Sequence, residues 1–134
     1  MSAHIVYMAI DPTAPATLSR HVISEVIRGV IGFGGVLVSD DLSMHALGGD
    51  IRDRASRALT AGCDLVLHCN GDRREMEAIV SAVGPISTRT EERLARGEAM
   101  RQHSKLREEF DRRAAEEKFD ALLGGGEISK IAGQ

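Results

Sequence analysis

The sequence contains few aromatic residues and no long apolar run. Aromatic residues make up 3% of the 134 residues, and there is no Trp. A surface that binds bases or sugars by aromatic stacking is therefore not expected. No apolar stretch approaches the roughly 20 residues of a transmembrane helix, and no basic-then-apolar leader follows Met1. We therefore expect no membrane association and a cytoplasmic location.

An excess of basic charge is also absent. The chain has 17 Lys and Arg against 20 Asp and Glu, and a formal net charge of -3. Proteins that bind nucleic acids normally carry a basic patch on one face. The charge balance therefore predicts no nucleic acid partner.

The two cysteines, Cys63 and Cys69, are separated by an apolar run. If that run is a β-strand, the two residues lie roughly 20 Å apart, because a strand rises about 3.3 Å per residue. A disulfide needs Cα atoms within about 7 Å of each other. A disulfide between them is therefore excluded, and we expect both thiols to be reduced and buried.

Three apolar runs are each followed, after a short break, by a stretch with helical spacing. The runs are His4 to Ile10, Val36 to Ser39 and Asp64 to Cys69. They are continuously apolar instead of alternating, which is typical of parallel strands that are covered on both faces. The repeat of about thirty residues suits βαβ units. The predicted fold class is therefore α/β.

Capping residues and apolar stripes mark the three predicted helices. Ser19 is expected to cap the first, while Asp50 and Gly62 are expected to begin and end the second. Apolar residues at helical spacing predict one buried face for each helix. These faces consist of Leu18, Val22, Val26, Ile27 and Val30 in the first helix, Ile51, Ala55, Ala58 and Leu59 in the second, and Met76, Ile79, Val80 and Val83 in the third.

The composition changes at Thr88. Residues 88–123 are rich in charges of both signs and have few apolar positions, which predicts a helical segment with solvated faces. The glycine-rich residues 124–134 predict a flexible tail. The expected organisation is thus an α/β region in residues 1–87, followed by the charged helical segment and the tail.

The stretch LVSDDLSM, residues 37–44, places two adjacent carboxylates, Asp40 and Asp41, directly after an apolar strand. Strand interiors exclude charge, so these residues mark the carboxyl end of the strand, where parallel α/β folds place their reactive groups. We expect Asp41 to cap the following turn and Asp40 to have a function. Such an aspartate serves as a glycosidase nucleophile or base, a phosphate acceptor in a receiver-type domain, or a metallohydrolase ligand.

The remaining sequence favours the glycosidase. The five histidines show no HxH or HExxH spacing, so no metal site and no cofactor are predicted. A receiver domain needs an acidic pair after its first strand and a lysine after its third, where LHCN stands at residues 67–70. A non-catalytic or receiver-like α/β binding module, in which Asp40 accepts phosphate or caps a turn, remains the alternative.

Three segments together resemble the C-terminal part of the catalytic barrel of bacterial β-N-acetylhexosaminidases of glycoside hydrolase family 3. They are MSAHIVYMAID, TLSRHVISEVIRGVIGFGGVLVSDDLSM and RASRALTAGCDLVLHCNGD, and the similarity extends over about residues 1–96. The segment GFGGVLVSDDLSM is the most specific part. Two positions depart from the family pattern: Met8, where a proline is expected, and Gly34, where an acidic residue is usual.

The resemblance implies a (β/α)8 TIM-type barrel, of which this chain carries the last three βα units, and a retaining glycosidase. It implies that Asp40 is the nucleophile and that Ser43 and Met44 shape the sugar pocket. His4 either lines this pocket or is a packed histidine. The implied substrate is a glycoside or muropeptide that contains β-linked N-acetylglucosamine, and the implied process is peptidoglycan recycling.

One element of the family is missing. Its general acid/base is a histidine paired with an aspartate, on a loop that resembles KHFPGHGD, and the chain contains no such segment. A complete barrel needs about 250 residues. We therefore expect a truncated gene product, a fragment or a misplaced start, without glycosidase activity on its own. Exposed barrel edges and apolar lining favour self-association.

Overall fold

The computed structural model describes residues 1–105 and 111–122 of the chain. It is an α/β structure, which confirms the predicted class. Its elements are a 3-10 turn Ala16–Leu18, a π-helix Val22–Val30, strand β1 Val38–Asp41, helix α1 Ile51–Ala61, strand β2 Leu65–Leu67, and helices α2 Arg73–Ala82, α3 Thr88–Lys105 and α4 Arg112–Leu122.

Strands β1 and β2 pair in parallel, as their continuous apolar character predicts. Val38 pairs with Leu65 and Asp41 pairs with Leu67, so β1 contains one residue more than β2 between the two pairs. This extra residue is a β-bulge, which locally interrupts backbone pairing. At this bulge the amide of Leu67 donates to the Ser39 hydroxyl at 3.0 Å.

The prediction of a strand at His4–Ile10 is wrong. The backbone of this segment folds back on the 3-10 turn, because the Ile5 carbonyl accepts from the Ala16 amide at 2.8 Å. At Tyr7 the chain turns, since its carbonyl accepts from the amides of Ile10 and Asp11. A bond of 2.8 Å from the Ser2 amide to the Val38 carbonyl connects this segment to β1. Local turn bonds thus replace the ladder that a third strand needs.

The first predicted helix forms, but it is wound more widely than expected. The Ser19 hydroxyl accepts from the Val22 amide at 3.0 Å, which is the predicted capping bond. Within the π-helix, hydrogen bonds connect residues five apart, as from the Ile31 amide to the Val26 carbonyl. Most of the predicted face is nevertheless confirmed, since Val22 is buried and Leu18 and Ile27 pack against the core. Ile23 is buried, whereas Val30, which was predicted to be buried, is 85% exposed.

Helix α1 agrees with its predicted caps. Asp50 accepts from the amides of Arg52 and Asp53 at 2.9 Å each. Gly62 ends the helix with φ at 120°, where an L side chain is strained, and a Cβ there would lie 2.9 Å from a methyl group of Ile23. The core lies between the sheet, the π-helix and helices α1 and α2. Its buried members are Ile23, Leu37, Leu42, Leu47, Ala55, Ala58, Ala61, Cys63 and Ile79.

Two predicted core residues and one cysteine lie at the surface. Met76 is 49% exposed and Val80 is 72% exposed, so α2 buries a narrower face than its apolar pattern predicts. Both cysteines are free, and Cys63 is buried as expected. Cys69 is exposed, which corrects the prediction that it is buried, because it follows β2 instead of lying inside it.

The chain divides into two compact units, Met1–Arg101 and Gln102–Gln134. In the second unit, α4 buries no residue, and ion pairs one turn apart link Arg112 to Glu116 and Arg113 to Glu117. This is the solvated charged helix that the sequence predicts. The predicted tail at residues 124–134 lies outside the described residues. None of the helices in the described ranges has both the length and the apolar character needed to cross a bilayer.

Candidate active site

Asp40 is the last residue but one of strand β1. Its neighbours Ser39 and Asp41 both direct their side chains to β2, where they accept from the amides of Leu67 and Cys69. Asp40 is half-buried, and its Oδ1 accepts from the Asp41 amide at 2.9 Å. Within the described part of the chain, no other hydrogen bond and no ion pair involves this carboxylate. One of its oxygens is therefore available for chemistry.

The Asp41 carboxylate is fully engaged in holding the strand end. Its Oδ1 accepts from the amides of Ser43 at 3.0 Å and Cys69 at 3.1 Å. Its Oδ2 accepts from the Ser43 hydroxyl. The Ser43 hydroxyl is the main reason that the pKa of Asp41 is lowered, against the opposing effect of burial. Asp41 therefore caps the turn, as the sequence predicts, and it also ties the end of β1 to the end of β2.

His4 reaches the same strand end from the N-terminal segment. Its Nε2 lies 2.9 Å from the Asp41 carbonyl oxygen, and its Nδ1 lies 2.9 Å from the Thr17 hydroxyl. Thr17 is fully buried and in turn bonds the Ser2 hydroxyl at 2.9 Å. Both ring nitrogens of His4 are thus occupied by groups of the protein itself.

Arg54 of α1 holds the loop that follows β1, a role that the sequence does not reveal. Its guanidinium donates to the carbonyls of Leu42 at 2.8 Å, Met44 at 3.2 Å and Gly49 at 3.0 Å. Leu42 and Leu47 anchor the same loop, because both are buried in the core. The partners of Arg54 are backbone carbonyls, which carry no residue signature. Spacing in the sequence therefore cannot identify such a contact.

The predicted site residues meet at this loop, although not in one cavity. Met44 donates its amide to the Asp41 carbonyl at 3.2 Å, and its side chain is 43% exposed. Ser43 lies on the wall of a cavity of about 600 Å³, whose other lining residues are His45, Gly49, Asp50, Ile51, Arg54, Asn70 and Glu75. Asp40, His4 and Met44 do not line that cavity. Asp41 instead connects them, since it accepts from His4, Ser43 and Met44 and its amide donates to the Asp40 carboxylate.

A second aspartate, Asp64, lies at the opposite end of the sheet and was not singled out by the sequence. Its side chain is 4% exposed, and it accepts from Arg28 and from the Leu37 amide, both at 2.7 Å. It also accepts from Arg93 and from the Thr90 hydroxyl. Burial tends to raise the pKa of Asp64, but the Leu37 amide and the arginines outweigh it, so that the pKa is lowered. Arg28 and Arg93 lie 36 and 29 residues away, which explains why no local motif indicates this cluster.

The geometry at β1 thus defines a carboxylate with a free oxygen on a backbone that is held from several sides. Such a group can act as a nucleophile or a base, and preorganisation of this kind is what catalytic carboxylates require. Among the described residues, no group of three or more His, Cys, Asp and Glu is arranged to hold a metal ion.

Residues 1–97 match the family described as Glycosyl hydrolase family 3 N terminal domain. Because this match covers more than half of the 134 residues, the chain belongs to glycosyl hydrolase family 3. The resemblance that the SDD segment and its neighbours indicate is thereby confirmed. Membership also favours a glycoside hydrolase over the receiver-like alternative.

The relatives within this family carry a more specific name. A beta-hexosaminidase of Bordetella avium is 50% identical over 72 residues, which are 52% of this chain and 20% of the relative. One of Methylobacillus flagellatus is 42% identical over 98 residues, or 72% of this chain and 28% of the relative. Among solved structures, a glycoside hydrolase family 3 beta-N-acetylglucosaminidase from Paenibacillus sp. is 34% identical, with a TM-score of 0.59 over 76% of this chain and 22% of that protein. The chain thus spans less than a third of the length of each relative.

Proposed function

We propose that this chain supplies the nucleophile of a retaining β-N-acetylglucosaminidase and that its sheet forms part of a (β/α)8 barrel. The proposed substrate carries a terminal β-linked N-acetylglucosamine, as in the muropeptides released during peptidoglycan recycling in the cytoplasm. One observation carries the proposal: Asp40 ends a parallel strand with one carboxylate oxygen unbonded, in a segment that belongs to family 3. The names of the relatives support the sugar.

In this proposal the free oxygen of Asp40 attacks the anomeric carbon of the sugar. A bond from Asp40 to carbon forms as the glycosidic bond breaks, and the leaving oxygen takes a proton from a general acid. A water molecule then attacks the same carbon and gives its proton to the general acid of the first step, which now acts as a base. Asp40 is released as a carboxylate. Two displacements retain the anomeric configuration. Ser43 and Met44, on the loop that Arg54 holds, are proposed to contact the sugar.

The general acid is the part of this mechanism that the described residues do not supply at the strand end. A retaining enzyme needs the second group at about 5–5.5 Å from the nucleophile. The Asp41 carboxylate accepts hydrogen bonds from Ser43 and Cys69. Both ring nitrogens of His4 are also hydrogen-bonded within the protein. We therefore propose that the chain alone does not turn over glycosides. Its exposed apolar side chains, including Ile5 at 54% and Met8 at 73%, support the proposed self-association.

A chimera tests the nucleophile directly. Residues 1–97 of this chain replace the matched segment of a complete curated relative, and hydrolysis of an aryl N-acetyl-β-glucosaminide is measured. We expect activity that Asp40→Asn lowers by on the order of 10³-fold or more. Asp53→Asn, on the exposed face of α1, is the matched control and leaves the rate unchanged.

Covalent trapping and the isolated chain complete the test. A mechanism-based fluorinated N-acetylglucosamine reagent should label the peptide that contains Asp40 in the chimera, as seen by mass spectrometry. Labelling of a different residue, or full activity of the Asp40→Asn chimera, contradicts the assignment. Acetyl phosphate labelling of Asp40 that depends on Mg²⁺ would support a receiver-like module instead. Turnover by the isolated chain that disappears in Asp40→Asn contradicts the proposed inactivity.

A further inference from the structure

The two bonds of His4 fix which ring nitrogen carries the proton. The Asp41 carbonyl can only accept, so the Nε2 of His4 must donate to it. In a neutral ring Nδ1 is then an acceptor, and it takes the hydrogen of the Thr17 hydroxyl. Thr17 in turn accepts from Ser2, which is 5% exposed. The hydrogen bonds therefore run in one direction, from Ser2 through Thr17 and His4 to Asp41.

This series of hydrogen bonds ends at Asp41, whose amide binds the carboxylate of Asp40, the proposed nucleophile. The amide of Asp41 donates the bond to Asp40, and the carbonyl of Asp41 accepts from His4. His4 thus holds the peptide unit that follows Asp41, and the unit that precedes it binds the Asp40 carboxylate. Asp41 pairs with Leu67 directly after the bulge of β1, and the Leu42 amide donates to the Leu67 carbonyl at 2.9 Å. His4 therefore adds a bond from outside the sheet to a peptide unit that β2 holds on its other side.

We propose that His4 is a positioning residue for Asp40, fixed by Thr17 so that its Nε2–H donates to the Asp41 carbonyl, and that it does not bind the sugar. Both ring nitrogens are occupied by the protein, so neither is available to a sugar hydroxyl. The inference deepens the proposed function, because it rests on Asp40 as the nucleophile, and it assigns His4 to the packed alternative of the sequence. Its structural content can be tested without any glycoside.

The tautomer of His4 is the first test, and it uses the full wild-type chain labelled with ¹⁵N. Long-range ¹H–¹⁵N spectra should show a protonated Nε2 for His4. The opposite tautomer overturns the inference, since a bare Nε2 cannot bond a carbonyl. His45, whose side chain is exposed, serves as the internal reference for a ring without these constraints.

Two variants of His4 provide the second test. His4→Leu removes both bonds, and His4→Gln retains a side-chain N–H for the Asp41 carbonyl. We expect His4→Leu to shift the ¹³C resonance of the Asp40 carboxylate and to speed hydrogen exchange of the Met44 amide several-fold, since Met44 donates to the same carbonyl. His4→Gln should restore both signals, and His45→Leu should change neither.

The outcomes separate this inference from the proposed function. An unchanged Asp40 resonance in a folded His4→Leu chain overturns the positioning role, whatever the glycosidase assays show. If His4→Leu does not fold, the comparison of wild type with His4→Gln and the tautomer of the wild type still decide the question. Failure of the fluorinated reagent to label Asp40 counts against the proposed function and leaves the bonds of His4 unaffected.

Discussion

Asp40 and Asp64 lie at opposite ends of the same pair of strands, and their surroundings differ in every respect that matters. Asp64 is enclosed, with two arginines, one amide and one hydroxyl on its two oxygens. Asp40 is half-buried and accepts one local amide. Both oxygens of Asp64 are therefore occupied by bonds that connect β1, β2, the π-helix and α3. Asp40 retains an oxygen for chemistry.

The comparison shows that a carboxylate at a strand end has to be judged by its partners. Residue type alone does not distinguish the two aspartates, although only Asp40 lies near the carboxyl end of its strand. A buried carboxylate with two cations is a structural element, because removing it leaves charges without compensation. A carboxylate that no cation contacts keeps its capacity to attack an electrophile.

The largest effect in this comparison is expected from Asp64→Asn. This change leaves Arg28 and Arg93 without their anion and weakens four bonds, so we expect a loss of about 3–5 kcal/mol in the free energy of unfolding. Urea unfolding at pH 7 measures it. Asp53→Asn is the control, because its pair with Arg57 is exposed and contributes under about 1 kcal/mol. A loss below about 1 kcal/mol for Asp64→Asn would refute the structural role.

Acid should lower the free energy of unfolding through the protonation of Asp64. Folding lowers the pKa of Asp64, so the unfolded chain binds more protons between the folded pKa and the ordinary value of about 3.9. The contribution is complete above about pH 4 and is lost as the pH falls through the folded pKa. Asp11, whose pKa is lowered to about 2 by Ser19 and Thr13, adds a loss of the same sign.

A ¹³C titration of the Asp64 carboxyl, together with urea unfolding between about pH 7 and pH 3, measures this effect. Stability that is unchanged over this range, or a titration midpoint of Asp64 above about 4, contradicts the prediction.

A smaller effect is expected from Arg54→Met. The variant removes three bonds to the loop after β1 and leaves the Leu42 carbonyl without a donor, which costs about 1–2 kcal/mol. Hydrogen exchange of the Leu47 amide, which bonds within this loop, should accelerate. Arg57→Met on the same helix is the matched control. Equal effects of the two variants would show that Arg54 has no special role in holding the loop.

The smallest effect on stability is expected from Asp40→Asn. An amide oxygen can still accept from the Asp41 amide, and no cation loses a partner, so the free energy of unfolding should change by less than about 0.5 kcal/mol. Urea unfolding of this variant beside Asp64→Asn gives the contrast in a single experiment. A loss above about 1 kcal/mol for Asp40→Asn would place it with the structural aspartates.

The sequence predicts those features that depend on neighbours along the chain. The capping of α1 by Asp50, its end at Gly62, the parallel pair of strands and the turn at Asp41 all follow from local patterns, and the structure confirms them. The position of Asp40 at a strand end belongs to the same group. Its role as nucleophile stays a prediction that the experiments above test.

Features that depend on distant contacts are not visible in the sequence. The apolar segment from His4 has strand composition, yet the Ile5 carbonyl accepts from Ala16 and the chain turns at Tyr7. In the π-helix the apolar pattern predicts the burial of Val22 but not that of Ile23. The bonds of Arg54 and Asp64 join residues that no spacing rule connects. Tertiary contacts decide all of these.

The hydrogen bonds of the SDD segment, residues 39–41, predict that substitutions at its three positions have different consequences in evolution. The side chains of Ser39 and Asp41 accept hydrogen bonds from amides of the neighbouring strand and its end. The side chain of Asp40 accepts none from there. A substitution of Asp40 would therefore remove the proposed nucleophile and leave these bonds between the strands intact. A substitution of Ser39 or Asp41 would impair both the proposed chemistry and the bonds between the strands. Inactive descendants of such a gene, where they arise, should have lost the central aspartate and kept its two neighbours.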